Sequence, residues 1–167
     1  MPSVNSSEIN GFNWHYVKFD VPNQCFDEEE NDTNISEDEN FKWIWPPKLI
    51  KQNENVFLVH LQNLCIRETT KLLVQMVGSA SECQKFTYWS RVKDSKIGLF
   101  YYEGPVKSLN DDKNEIMESG LCFNIPYEAL KSILEDNWFT VEIGIREMKS
   151  QETSGKPRIY RFQSTEK

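Results

Sequence analysis

Hydrophobic and polar positions alternate along much of this chain with a period of two. Over residues 13–21 (NWHYVKFDV), His15, Val17, Phe19 and Val21 fall on one side and Trp14, Tyr16 and Lys18 on the other. That spacing predicts a half-buried strand, ended by Pro22. Residues 41–45 (FKWIW) alternate again, with Phe41, Trp43 and Trp45 on one face, until Pro46-Pro47 stops them. Further strands are predicted at 56–61, 71–77, 86–92, 97–102 and 121–125, with turn-forming residues at Asp94-Ser95 and Glu103-Gly104-Pro105 between them. The clearest alternation is at 138–145 (WFTVEIGI), where Phe139, Val141, Ile143 and Ile145 share one face.

One segment breaks the period. Residues 126–137 (PYEALKSILEDN) place Ala129, Leu130, Ile133 and Leu134 at helical spacing, behind a proline suited to a first turn, and predict a short covering helix. Many short strands and one helix predict an all-β antiparallel sandwich of about eight strands. In this reading residues 1–12 are a flexible leader and 13–146 form the domain, with an acidic insert at 27–40. Residues 147–167 are a polar, basic and mostly mobile tail, within which Arg158–Phe162 (RIYRF) has the pattern of an edge strand.

Length and composition fit one domain with a real core: 167 residues, 38% hydrophobic and 13% aromatic. The net charge of −7 changes meaning once it is located. Residues 27–39 hold eight acidic side chains and no basic one, so the remainder of the chain stands at +1. Neither portion offers the basic stripe that phosphate contacts need, and nucleic-acid binding is not expected. Nor does any stretch approach the roughly 18 apolar residues of a membrane span, and the first ten residues lack the pattern of a secretory signal. A cytoplasmic location is expected, with the nucleus also open to the protein. The sequons at Asn5, Asn31 and Asn34 then carry no weight.

Candidate chemistry is sparse. Cys25, Cys65, Cys83 and Cys122 stand singly, without the paired spacing of a structural zinc site, and fit a reducing compartment as free thiols. A thiol enzyme would have to recruit His15 or His60, and no motif supports either. There is no phosphate-cradling glycine loop and no G-x-S-x-G elbow among the seven glycines. The expectation is therefore a non-catalytic chain that needs no cofactor or metal. What stands out is the density of strand aromatics at Trp14, Tyr16, Phe41, Trp43 and Trp45. Three alternate aromatics on one short strand suit either a sandwich core or an edge that captures an extended peptide.

Residues 74–92 (VQMVGSASECQKFTYWSRV) resemble a hairpin of the seven-in-absentia (Siah) substrate-binding domain: an apolar strand, Gly78, a polar stretch, then Phe86 and Tyr88. The similarity continues through Tyr102-Glu103, Lys107-Ser108-Leu109, Ile116-Met117, Ser119, Cys122 and the helix up to Glu135, and ends in the alternation from Phe139 to Ile145. It covers residues 13–145 and is stronger after Val74. The resemblance implies a TRAF-like sandwich that is a homodimer and recognises extended peptide segments of substrate or adaptor proteins by β-augmentation, for ubiquitin-dependent degradation. In the family the bound peptide carries a Val-x-Pro element. Carried over by position, Phe41, Trp43 and Trp45 would face the peptide, with Val17 and Phe19 on the neighbouring strand. Trp45 is larger than the family's residue and implies a narrower pocket. The RING domain and zinc fingers that precede this domain in Siah ligases have no counterpart here, which implies a fragment or a paralogue without the ligase part. A signalling adaptor unrelated to ubiquitin is the alternative, since a sandwich alone does not give function.

Overall fold

The computed structural model describes residues 8–9, 11–21, 43–63, 69–96, 98–149 and 158–162, and for residues 8, 9, 43 and 158–162 it describes the backbone alone. The acidic insert, Phe41, Cys25, Cys65 and the three sequons lie outside the described residues.

The alternating segments form two sheets. The first runs in the order β1 (Glu8–Ile9), β2 (Phe12–Asp20), β11 (Trp138–Glu147), β7 (Phe86–Asp94), β8 (Gly98–Pro105), β12 (Arg158–Phe162), each neighbour antiparallel to the next. The second runs β10 (Phe123–Ile125), β6 (Thr70–Met76), β5 (Asn55–Asn63), and ends on β3 (Trp43–Ile44) and β4 (Lys48–Gln52), which both pair with β5. A two-residue strand, β9 (Lys107–Ser108), pairs in parallel with β6. Among the described residues three short helices, α1 (Ala80–Cys83), α2 (Lys113–Glu118) and α3 (Tyr127–Ile133), cover the ends and faces.

The sheets pack face to face. Phe139, Val141, Ile143 and Ile145 of β11 are fully buried, as their alternation predicts, and meet Phe57, Val59 and Leu61 of β5 and Leu72, Val74 and Met76 of β6 in one core. The Phe57 and Phe86 rings, one from each sheet, meet edge to face at 5.4 Å, and Tyr102 stacks on Phe123 at 6.4 Å. The all-β antiparallel sandwich expected from the pattern is the fold.

Several details differ from the sequence reading, each for a visible reason. β6 is buried on both faces from Leu72 to Met76 because its outer face is covered too: Leu73 lies under α2 with Ile116, Met117 and Cys122. The predicted helix shortens to Tyr127–Ile133, since Leu134 turns to an extended ψ of 126°. Trp14, placed by period two beside Tyr16 and Lys18 on the outer face, is 2% exposed. It joins Phe12 and Trp89 in an aromatic cluster over the outer face of the first sheet, roofed by the guanidinium of Arg91 at 4.1 Å. Gly144 permits this cluster, because a Cβ there would stand 3.2 Å from both Phe12 and Trp14. Sheet pairing also extends beyond residues 13–146, through β1 on one side and β12 on the other. The strand at Lys48–Gln52 and the helices α1 and α2 had no counterpart in the reading.

Candidate functional site

On one side of the sandwich both sheets end, and the residues between their edges form the candidate site. β2 is the edge of the first sheet beyond the short reach of β1, whose pairing extends only to Phe12 and Asn13. β3 and β4 form the edge of the second. They are one strand interrupted at Pro46-Pro47: Ile44 pairs with Gln62 but Lys48 with Val59, so four steps along the edge match three on β5. This is a one-residue bulge, a usual way of turning an edge, and proline is tolerated there because it has no N–H to leave unpaired.

Strand geometry fixes which backbone groups face outward. Val21 donates its N–H to the carbonyl of Asn137, so the odd residues of β2 bond to β11 and the even ones present N–H and C=O to the open side. The carbonyl of Asp20, an even residue, is indeed taken by the indole N–H of Trp45 at 2.6 Å. On β4, Gln52 and Asn55 close a two-residue turn in which Asn53 has φ 53°, so Gln52, Ile50 and Lys48 bond to β5. Leu49 and Lys51 then present their backbone groups outward. Among the described residues, no strand pairs with the outward backbone groups of Tyr16 and Lys18 on one edge or of Leu49 and Lys51 on the other.

Two ties hold the edges together. At one end His15 and Gln52 share a hydrogen bond of 3.1 Å between Nε2 and Oε1, and at the other Trp45 reaches Asp20. Between the ties lies a groove of about 340 Å³. Its floor is Val17 and Ile50, and its walls include Tyr16 and Leu49. Residues 15 to 20 span about 17 Å at a strand's rise, the length of about five extended residues. Among the described residues, three lysines, Lys18, Lys48 and Lys51, line the groove together with His15, and no carboxylate does. The Lys18 ammonium also lies 4.0 Å from the centre of the Trp138 ring.

The exposed apolar residues concentrate on this side. Of the five large hydrophobic side chains that stand out in solvent among the described residues, Tyr16 (59% exposed), Leu49 (63%) and Ile44 (48%) belong to the two edges. The other two, Val77 and Leu109, lie together elsewhere, joined through β6 by the Leu109 N–H bond to Met76. A second hollow, lined by Arg91, Ile133, Trp138 and Glu142, is smaller at about 180 Å³, and its arginine is already paired with Glu142.

The residues singled out from sequence distribute as follows. Val17 is buried and forms the groove floor, while Phe19 is fully buried and stacks on Phe139 at 5.6 Å. Trp45 faces the core, edge-on to Phe139, and touches the groove through its N–H tie. Trp43 lies on the same edge by its backbone, paired with Asn63; its side chain and Phe41 lie outside the described residues. The sequence reading missed Lys48, Leu49 and Lys51. The alternation in KLIKQ directly after a proline stop was the available signal.

Other reactive groups are placed for structure. Burial raises the thiol pKa of Cys83 and of Cys122, keeping both in the protonated, unreactive form. Burial, and the charge of Lys113 behind it, hold the His60 imidazole down at about 4. Among the described residues no cluster of three His, Cys, Asp or Glu side chains is placed to hold a metal ion, and no helix is long and apolar enough to cross a membrane. No protein-family model matches the chain, and no curated protein matches it.

Proposed function

We propose that this chain is a non-catalytic recognition module that holds an extended segment of a partner protein in the groove between β2 and β3–β4. The observation that carries the reading is the coincidence, between two tied sheet edges, of backbone rows unpaired among the described residues with the exposed Tyr16 and Leu49. An added strand takes its affinity from main-chain hydrogen bonds and its selectivity from alternate side chains, and this groove supplies sites for both. The Siah resemblance of residues 13–145 supports the remainder of the proposal: a TRAF-like homodimer that presents bound partners for ubiquitin-dependent degradation.

The test is a titration with a Val-x-Pro-containing peptide of about eight residues, followed by tryptophan fluorescence, beside a folded Leu49→Glu variant. Saturable binding that the variant loses is the expected result. Binding that survives Leu49→Glu unchanged would move the site off this edge. No binding by the folded protein would sink the Siah-type specificity and favour an adaptor role outside ubiquitin. Light scattering at micromolar concentration tests the dimer: twice 19.7 kDa is expected, and a mass of 19.7 kDa contradicts it.

A further inference from the structure

We infer that the groove selects acidic segments: its occupant is an extended partner stretch of about five residues that alternates an apolar side chain with aspartate or glutamate. The inference rests on the recognition reading above and adds to it the chemistry of the partner. Lys18, Lys48 and Lys51 contribute three positive charges to the groove lining, drawn from both edges, and among the described residues no carboxylate lines it to neutralise them. Lys18 is further held against the Trp138 ring. Along β4, Lys48 and Ile50 point toward the opposite sheet while Leu49 and Lys51 point away, because side chains alternate. An apolar wall and a cation therefore stand on each side of the outward backbone row. A strand added there presents its own side chains with the same alternation, so one face would meet Val17 and Ile50 while its charged residues run past the lysines. Acidic side chains relieve the mutual repulsion of the lysines, whereas basic ones add to it.

The experiment uses the full chain and three fluorescein-labelled peptides: Glu-Val-Glu-Val-Glu-Val, the same peptide with glutamine for glutamate, and the same with lysine. The acidic peptide is expected to bind about tenfold more tightly than the neutral one at low salt, as three solvent-screened ion pairs of modest strength would give, and the basic peptide most weakly. Raising sodium chloride to about 0.5 M should bring the acidic and neutral affinities together. In a Lys48→Gln/Lys51→Gln variant with an unchanged melting temperature, the ratio of the two should fall toward one. Equal binding of acidic and neutral peptides to the unaltered chain overturns the charge selection and leaves the groove reading standing. Failure of all three peptides to bind, with residues 27–40 present or deleted, overturns both. If the acidic peptide binds only after residues 27–40 are deleted, the groove is occupied by the chain's own acidic stretch, and the assignment to a partner is wrong.

Discussion

Replacing Trp45 by phenylalanine isolates the tie between the two sheets at one end of the groove. Trp45 is 6% exposed, packs edge-on against Phe139 and donates its indole N–H to the Asp20 carbonyl at 2.6 Å. Phenylalanine keeps an aromatic ring in the core but removes the donor. The lost hydrogen bond costs about 1 kcal/mol, with little added penalty because Asp20 is exposed and water can take over its carbonyl. The side chain is also smaller by about 40 Å³, and an unfilled cavity of that size costs about 1 kcal/mol more. The expected loss is about 2 kcal/mol, a fall in melting temperature of about 4–8 °C for a chain of this length. Urea denaturation with an unchanged slope reads it directly. Peptide affinity should weaken in the same variant, since the edges are no longer pinned at that end. A midpoint within error of the parent would refute the argument that this tie holds the edges.

Gly104→Ala should be among the most damaging small substitutions, because the new Cβ would lie 2.4–2.6 Å from the ring and hydroxyl of the fully buried Tyr102. A loss of about 3 kcal/mol, largely relieved in a Gly104→Ala/Tyr102→Ala double variant relative to the sum of the singles, is expected in denaturation; additivity would contradict it. His60 gives a pH signature. Its folded pKa of about 4 lies below the usual 6.5, so the unfolded chain takes the proton first. Its contribution is fully present above pH 6.5 and is lost as pH falls toward 4, by up to about 2 kcal/mol after allowing for partial contact with solvent. His60→Gln should flatten stability over that interval relative to the parent, and an unchanged slope would refute the burial argument.

The sandwich was legible because its central strand is buried on one face with strict alternation: Phe139, Val141, Ile143 and Ile145 point inward from the sequence onward. Position along the sheet was less legible. Period two separates the two faces of a strand, but it cannot show that Trp14 on the outer face is roofed by Arg91, nor that Leu73 is covered by α2. The site was half visible. The edge around Trp43 and Trp45 and its neighbour β2 were marked by aromatics and a proline stop, yet Phe19 and Trp45 proved to be core residues. The residues that line the groove on β4 carry one inward apolar side chain, Ile50, between lysines, and so short an alternation reads as a loop. Which sheet edges lie side by side is a long-range fact, set by the pairing of β11 with β2 and of β5 with β4.

The account stands most directly on where a bound segment forms its hydrogen bonds, and amide hydrogen exchange with and without saturating peptide measures that residue by residue. New protection at Tyr16 and Lys18, or at Leu49 and Lys51, is predicted, because those amides face the open side of the two edges. Protection appearing instead around Val77 and Leu109, or no change at either edge when the peptide is bound, would contradict it.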